Sequence, residues 1–222
     1  MKIATWNLQR LDKRKNDVIL SEIHKINPDI IVLTETNSLI QLDGYNCVPT
    51  HAIPDFFEGI KYKKGENRSS IWTKYPVTHQ YKTVDGFISV CSGIETPFGS
   101  LTVYGTIIGV QAKKQPRFDN ELYGQIEDFK HLAPLGNLCI AGDFNVIFTS
   151  SSYAYPSHKA INALTDTFTE LKLTNTTAKL VDNVDHIVLS SSLCAGKTIE
   201  IETWNADKKL SDHIGVSVTL TN

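Results

Sequence analysis

The sequence predicts a mixed α/β fold with a functional site at one edge of its sheets. Strand-like apolar runs alternate with helical stripes along 222 residues, of which 41% are hydrophobic, and this suffices for one domain with a sizeable core. Three of the runs end in a polar residue, at Asn7, Glu35 and Asp143. Two later runs instead follow a polar residue, Asp185 and Asp212. For these residues to meet, the last two strands must run opposite to the first three.

The most informative pattern lies at 137–145, where an apolar run ends in Gly-Asp-Phe-Asn. The run is typical of a strand that is covered on both faces, and Gly142 lets the backbone approach a neighbour closely. Asp143 and Asn145 are two positions apart, so they project from the same side of an extended chain. An Asx turn would explain them equally well in isolation. The recurrence of polar residues at strand ends favours a site.

The remaining elements follow from hydrophobic periodicity and turn residues. A helix is predicted over 11–26 because Asn27-Pro28 closes an amphipathic stripe. The region 44–101 contains short alternating runs between Pro, Gly and Asn turns, which predicts antiparallel sheet. Further strands are predicted at 2–6, 29–35, 101–108, 186–190 and 214–220, and further helices at 118–132 and 161–171.

Composition restricts the function classes. The net charge of −2 excludes a globally basic nucleic-acid binder, so attraction to phosphate must come from local patches. The four cysteines have no paired spacing, which indicates reduced thiols and a reducing compartment. We find neither a signal peptide nor an apolar run of ~20 residues that could span a membrane. A cytoplasmic monomer is the expectation.

Half of the basic residues fall in three segments. These are Arg10, Lys13, Arg14 and Lys15; Lys61, Lys63, Lys64 and Arg68; and Lys113, Lys114 and Arg117. The ordinary interpretation of such runs is a solvated face. The first and third segments, however, follow strands that end at the predicted site, where cations would attract a polyanion.

The polar residues at the strand ends suit a hard divalent cation. Carboxylate and amide oxygens, without thiolates or a histidine cluster, favour Mg²⁺ or Mn²⁺ over Zn²⁺, and Glu35 is the best candidate ligand. Several converging carboxylates would also repel one another unless a cation lay between them.

His213 follows Asp212 directly, and such a pair is often only a surface dyad. Asp185 offers a second role, because its carboxylate could fix the tautomer of the His213 ring and favour its cationic form. Neighbours on a regular strand point to opposite faces, so Asp212 and His213 reach one site only where the backbone is irregular.

These motifs together resemble the endonuclease/exonuclease/phosphatase superfamily, which includes deoxyribonuclease I-like enzymes and apurinic endonucleases. The resemblance covers nearly the whole chain. It is carried by Thr5-Trp-Asn7, Leu33-Thr-Glu35, Ser70-Ile-Trp-Thr-Lys-Tyr-Pro76, Gly142-Asp-Phe-Asn145, Val184-Asp-His-Ile-Val-Leu-Ser190 and Ser211-Asp-His213. It implies a four-layer sandwich of two mixed β-sheets flanked by helices.

The resemblance also implies roles for individual residues. Glu35 would bind Mg²⁺ (or Mn²⁺), with Asn7 and Asp212 at or near the metal. Asp143 would orient or deprotonate the attacking water, Asn145 would hold a phosphate oxygen, and His213, supported by Asp185, would neutralise the scissile phosphoryl group. The implied reaction is in-line hydrolysis of a phosphoester.

The chain departs from the family pattern at the end of the strand 101–108. Many members have His or Tyr there, whereas this sequence offers Thr106, whose hydroxyl would contact the substrate with shorter reach. Arg117, in the third basic segment, is the other expected substrate contact.

Nucleic acid is the leading substrate on these grounds, with a small or lipid-like phosphate as the alternative. A binding module that has lost turnover is a third reading, and the intact catalytic set opposes it. Trp72, Tyr153 and Tyr155 are candidates for stacking on bases, although Trp72 fits a core position and the two tyrosines fit a loop cover.

Overall fold

The structure, a computed structural model, describes residues 1–10, 13–110, 115–149 and 158–222. The strands are β1 (Lys2–Asn7), β2 (Ile30–Asn37), β3 (Asn46–Pro49), β4 (Phe56–Phe57), β5 (Ile60–Lys61), β6 (Glu66–Thr73), β7 (Val77–Tyr81), β8 (Val90–Thr96), β9 (Gly99–Ile107), β10 (Asn137–Asp143), β11 (Leu173–Asn175), β12 (Asp185–Ser190), β13 (Thr198–Trp204) and β14 (Gly215–Thr221). The helices are α1 (Asn16–Ile26), α2 (Arg117–Leu132), α3 (His158–Glu170) and α4 (Ser191–Cys194), with short 3₁₀ turns at Lys13–Lys15 and Ala133–Leu135.

Two six-stranded sheets form the centre of the molecule. The first has the strand order β13-β14-β1-β2-β6-β3, and the second has the order β11-β12-β10-β9-β8-β7. β1 runs parallel to β2 and antiparallel to β14, while β10 runs parallel to β9 and antiparallel to β12. The predicted reversal of the last two site-bearing strands is therefore confirmed.

Three apolar layers hold the sheets and helices together. Side chains such as Val32, Val103 and Cys139 fill the space between the sheets. The face of the second sheet that points away from the first packs against α2 and α3 through residues such as Phe129 and Leu164. A third cluster, which includes Ile19, joins α1 to the first sheet. This is the four-layer sandwich that the resemblance implies.

Most element bounds match the sequence prediction within a few residues, and the misses are short or polar. The predicted helix over 11–26 begins at Asn16, after a 3₁₀ turn. The β4–β5 hairpin, β11 and β13 were not predicted, since β11 has only three residues and most of β13 is exposed. Pairing with β14 fixes β13 although its pattern is weak.

Gly142 shows why a glycine precedes Asp143. Its φ is +141°, and a Cβ at this position would lie 1.9 Å from the carbonyl oxygen of Thr106 on β9. Any side chain would therefore push β10 away from β9 near the strand end that carries Asp143.

The cysteines are unpaired, as the spacing predicts. Cys91 and Cys139 are buried and Cys47 is exposed. Trp72 is a core residue and is only 4% exposed. Among the described residues, none of the helices has the length and apolar character needed to cross a membrane.

Candidate active site

The two sheets bring the predicted residues together at one end of the sandwich. Asn7 and Glu35 lie at the ends of the parallel strands β1 and β2. Asp143 ends β10, and its register partner across the antiparallel pair is Asp185, the first residue of β12. The opposite strand directions therefore place a strand end and a strand start at the same rim.

Asp143 is held by two side-chain amides. Nδ2 of Asn7 donates to Oδ2 of Asp143 at 3.0 Å, so the contact links the two sheets. Nδ2 of Asn145 lies 3.3 Å from the same oxygen, and the backbone N–H of Asn145 donates to Oδ1 at 2.9 Å. Asp143 is itself 2% exposed. This carboxylate is fixed in orientation, as a group that positions or accepts a proton from water must be.

His213 and Asp185 form the second unit of the site. Nδ1 of His213 lies 2.6 Å from Oδ2 of Asp185, and the side chain of Asp185 is 1% exposed. This contact sets the ring orientation, while Nε2 remains on the other side of the ring, 3.9 Å from Oδ1 of Asp212. The His213 side chain is 17% exposed, so part of the ring is open to solvent.

The loop before β14 carries His213 in an irregular backbone. The Ser211 hydroxyl donates to the carbonyl of Asn7 at 2.6 Å and accepts from the His213 N–H at 3.1 Å. Nδ2 of Asn205 lies 2.8 Å from the Ser211 carbonyl and 2.7 Å from that of His213. Ser211 and Asn205 thus fix the loop to β1 and to the end of β13. Asn205 was not among the predicted site residues, because a polar residue after an exposed strand has no distinctive pattern.

The placement of the expected metal ligands is uneven. Glu35 is half-buried with φ of +46°, and its Oε1 is 3.4 Å from Nδ2 of Asn7. Asn7 presents its amide nitrogen to Glu35 and Asp143, whereas its Oδ1 accepts from the N–H of Gln9 at 2.8 Å. The expected position of Asn7 at or near a metal stays a prediction. Asp212 is 57% exposed, with its carboxylate near the His213 ring.

Burial and mutual repulsion dominate the electrostatics of the site. Desolvation raises the pKa of Asp143 to about 7, and the negative charge of Asp185 adds to the rise. Desolvation also raises the pKa of Glu35. Burial alone lowers the pKa of His213, but the charge of Asp185 and the hydrogen bond to it outweigh burial and raise that pKa to about 10. His213 is therefore the cation that opposes a set of crowded carboxylates.

The donor set fits a hard cation held by few protein ligands. Among the described residues, no group of three or more His, Cys, Asp or Glu side chains is arranged as a metal cage. Mg²⁺ commonly binds through one or two carboxylates and keeps several waters, so a cage is not required. Glu35 has one long hydrogen bond to Asn7, and desolvation raises its pKa. A divalent ion would give this carboxylate a second partner and offset the cost of burying its charge.

Thr106 does not join the other predicted residues. Its hydroxyl donates to Oε1 of Gln125 on α2 at 2.8 Å, and the residue is 0% exposed. Strand alternation places Thr106 on the same face as Tyr104, toward the helices, whereas Ile107 lies on the site side and lines a cavity beside Glu35. The β9 residue on the side of Glu35 is therefore Ile107, and the expected substrate contact of Thr106 is wrong because its hydroxyl is buried against α2.

Asn145 and Arg117 both reach the neighbourhood of the site but are engaged by protein groups. Nδ2 of Asn145 donates to the Ile108 carbonyl at 3.0 Å as well as contacting Asp143. Arg117 pairs with Glu121 and, at 2.6 Å, with Glu58. Glu121 in turn accepts from the backbone N–H groups of Gly109 and Val110, at 2.7 and 2.9 Å. Arg117 thus anchors the segment that follows β9.

Two basic segments meet in a groove next to this site. The groove has a volume of about 610 Å³ and is lined by Gln9, Arg10, Arg14, Lys61, Tyr62, Lys63 and Glu66. Arg68, the last residue of the second basic segment, is 2% exposed and so is not part of a solvated face. Lys113, Lys114, Tyr153 and Tyr155 lie outside the described residues, so their predicted roles stay predictions.

Fixed carboxylates, a buried Asp-His pair and an adjoining basic groove define a phosphoester hydrolase built on a two-sheet sandwich. The family model described as "Endonuclease/Exonuclease/phosphatase family" matches residues 4–213. The chain belongs to this family, as the sequence motifs predicted.

Solved structures of nucleases and a phosphatase share the fold at low sequence identity. An apurinic endonuclease from Leishmania major aligns with a TM-score of 0.77 and 14% identity over 100% of this chain and 87% of that chain. The endonuclease domain of the telomere-specific non-LTR retrotransposon TRAS1 aligns with a TM-score of 0.71 and 17% identity over 99% and 97%. A 3′ phosphatase from Neisseria, bound to a product DNA hairpin, aligns with a TM-score of 0.72 and 16% identity over 100% of both chains. A search of curated proteins finds no match.

Proposed function

We propose that this protein is a Mg²⁺-dependent nuclease that hydrolyses nucleic-acid phosphodiesters. The observation that carries the proposal is the position of the basic groove, which shares Arg10, Tyr62 and Glu66 with the cavity beside Glu35. A polyanion lying in this groove would pass the carboxylate and histidine groups of the site. Local cations attract such a substrate in spite of the net charge of −2.

Each residue near the phosphate has a role that its contacts support. Asp143, fixed by Asn7 and Asn145, orients the attacking water and accepts its proton. His213, held by Asp185, donates a hydrogen bond or a proton to a phosphoryl oxygen from Nε2. Glu35, with Asp212 nearby, would hold Mg²⁺ (or Mn²⁺). The bound ion would stabilise negative charge on the phosphoryl or leaving oxygen.

The alternative is hydrolysis of a small or lipid-like phosphate. The ion pairs of Arg117 with Glu58 and Glu121 favour this alternative, because two carboxylates balance the charge of Arg117 and make it less available to a long polyanion.

The unpaired thiols support a reducing compartment such as the cytoplasm.

A parallel substrate screen tests the proposal. Single-stranded DNA, duplex DNA, RNA, nucleotides, and inositol or lipid phosphates are incubated with the protein and Mg²⁺. We expect cleavage of a nucleic acid, and its loss in excess chelator. Hydrolysis of only the small phosphates would favour the alternative, and full activity in chelator would remove the metal from the reaction.

Two variants test the residue roles in the same assay. His213→Ala and Asp143→Asn should each lower the rate by about 10²-fold or more while the fold is retained, because each removes a proton-handling group. Rates near that of the wild type would contradict the assigned roles.

A further inference from the structure

The β4–β5 hairpin exposes an aromatic side chain beside the basic groove. Phe56 is 71% exposed, the largest exposed fraction among the large apolar side chains that the structure describes. Its register partner across the hairpin is Lys61, which lines the groove. Side chains of register partners lie on the same face of an antiparallel pair, with their Cβ atoms roughly 5 Å apart. An accessible aromatic ring therefore lies next to a lysine at the edge of the groove.

Strand alternation separates the two phenylalanines of this hairpin. Phe57 faces the protein, and its ring centre lies 4.9 Å from that of Phe87. Ile60, the register partner of Phe57, is half-buried on the same side. Phe56 and Lys61 occupy the opposite face, which points outward. Packing within the protein therefore accounts for Phe57 but not for Phe56.

The hairpin is held in place by three arginines. The Glu58 carboxylate, at the turn, accepts from Nη2 of Arg68 and from Nη2 of Arg117, each at 2.6 Å. Nη2 of Arg10 donates to the backbone carbonyl of Lys61, also at 2.6 Å. The hairpin is thus tied to β6, to α2 and to the segment that follows β1. Its outward face keeps a fixed position relative to the sheets.

The groove connects this outward face with the candidate active site. Gln9 lines the groove, and its backbone N–H donates to Oδ1 of Asn7 at 2.8 Å. Asn7 in turn donates to Asp143 at 3.0 Å. An extended strand in the groove can therefore reach from the carboxylates of the site to Lys61 and Phe56.

The outward face of the hairpin fits a nucleic-acid base better than a lipid surface. β4 and β5 have two residues each, so this face carries one phenylalanine and one lysine. Binding to a lipid surface grows with the apolar area that is buried, and a single ring supplies little of it. A single-stranded nucleic acid needs only one ring for each stacked base, and its phosphates are attracted to neighbouring cations.

We propose that Phe56 stacks on an unpaired base of a single-stranded substrate whose phosphates contact Lys61, an inference that rests on the proposed nuclease function. Every base has a π-face, so the contact supplies affinity without selecting one base. In a duplex the faces of the bases are covered by their neighbours, and this contact is not made. Phe56 therefore favours single-stranded over duplex substrates.

Affinity measurements with three ligands test the proposal. Fluorescence anisotropy in chelator gives Kd without turnover for a single-stranded oligonucleotide, for a duplex of the same sequence, and, by competition, for inorganic polyphosphate, which has phosphates but no bases. We expect Phe56→Ala to raise Kd for the single strand by about 5- to 100-fold. Kd for the duplex and for polyphosphate should be unchanged. The dependence of log Kd on log salt concentration should also be unchanged, because no charge is removed.

The choice of variants separates stacking from general apolar contact. Phe56→Trp keeps a flat aromatic face and should bind the single strand at least as tightly as the wild type. Phe56→Leu is apolar but has no π-face and should resemble Phe56→Ala. Leu135→Ala is the matched control, since Leu135 is 59% exposed and lies before β10, at the end of that strand remote from Asp143. Wild-type affinity in Phe56→Leu would overturn the assignment of stacking.

Tryptophan fluorescence reports on the contact directly. The three tryptophans of the chain, Trp6, Trp72 and Trp204, are at most 8% exposed. The additional emission of the Phe56→Trp variant therefore comes from the outward face of the hairpin. We expect the single-stranded oligonucleotide to quench this emission and polyphosphate to leave it unchanged. Binding of the single strand without quenching would overturn the proposal.

The outcomes distinguish this inference from the proposed function. Cleavage of single-stranded DNA by the wild type, with the same Kd in Phe56→Ala, would overturn the role of Phe56 and leave the nuclease proposal intact. Failure of the wild type to bind or cleave any nucleic acid would overturn both. Weaker binding of Phe56→Ala to phosphatidylserine vesicles, with an unchanged Kd for the single strand, would assign Phe56 to a lipid surface and overturn the stacking proposal.

Discussion

His213 contacts Asp185 through Nδ1 and Oδ2, 2.6 Å apart, although the elements that carry them belong to different sheets. His213 precedes β14 of the first sheet, and Asp185 begins β12 of the second. The pair therefore joins the halves of the sandwich at the point where the proposed chemistry occurs. The orientation of the ring depends on the packing of the two sheets.

The first prediction concerns Asp185→Asn. The substitution removes the charge that stabilises the His213 cation and the acceptor that fixes its ring, so we expect the rate to fall by about 10²-fold. The measurement is kcat/KM on a generic phosphodiester, with Tm as the check on folding. Asp207→Asn, in an exposed pair with Lys209, is the control and should act as the wild type does. Normal turnover in Asp185→Asn would show that His213 needs no such partner.

The second prediction concerns the metal. Ions that bind only the folded state raise its stability by about 2.7 kcal/mol at 100 times Kd, which for this size corresponds to a rise in Tm of several degrees. We expect Mg²⁺ to raise Tm in the wild type but not in Glu35→Gln. Glu127→Gln on α2 is 61% exposed and should respond as the wild type does. An equal response of Glu35→Gln and wild type would place the ion elsewhere.

The third prediction concerns the basic groove. Single-stranded nucleic acid releases about 0.7 counterion for each phosphate that a protein neutralises. Lys61→Ala and Lys63→Ala should therefore each make the dependence of log Kd on log salt concentration less steep, by up to about 0.7. Fluorescence anisotropy in Ca²⁺ or chelator measures this slope without turnover. Lys25→Ala on α1 should leave the slope unchanged, and a flat wild-type response would favour the small-phosphate alternative.

The fourth prediction follows from the corrected position of Thr106. Thr106→Val replaces the hydroxyl with a methyl group and keeps the side-chain volume almost unchanged. It leaves the buried Oε1 of Gln125 without its donor. We expect the free energy of unfolding to fall by about 1–3 kcal/mol, with little change in kcat/KM. Denaturant unfolding and the phosphodiester assay measure the two effects. A selective loss of activity with unchanged stability would restore Thr106 to the substrate site.

The Thr106 error shows what strand patterns leave undetermined. The sequence indicated a strand over 101–108 but not which of two neighbouring residues faces the site, because a strand covered on both faces has no polar face to fix the alternation. Asn7, Glu35 and Asp143 were predictable, since each follows an apolar run. The contacts of Arg68 and Asn205 were not, because they depend on packing between distant segments.

The last prediction concerns His186, which is buried next to Asp185 but does not face the site. Nε2 donates to the Val146 carbonyl at 2.9 Å, and Nδ1 lies 3.0 Å from the Thr177 hydroxyl. Desolvation lowers its pKa from 6.5 to about 4, so the folded state keeps the ring neutral while the unfolded chain takes up a proton. The neutral His186 ring therefore makes its full contribution to the free energy of unfolding above pH 6.5, and this contribution is lost as the pH falls toward 4.

The contribution of His186 to the free energy of unfolding that is lost at pH 5 should be on the order of 2 kcal/mol, since each pKa unit corresponds to about 1.4 kcal/mol. His186→Gln cannot titrate, so the difference between its free energies of unfolding at pH 7 and pH 5 should be smaller than that of the wild type by this amount. Urea unfolding at both pH values provides the measurement, and His24→Gln on the exposed face of α1 is the control. The carboxylates titrate in both proteins. The difference between the two proteins in this pH dependence therefore isolates the contribution of His186. An identical acid sensitivity in His186→Gln would mean that the ring is protonated, or accessible, in the folded state.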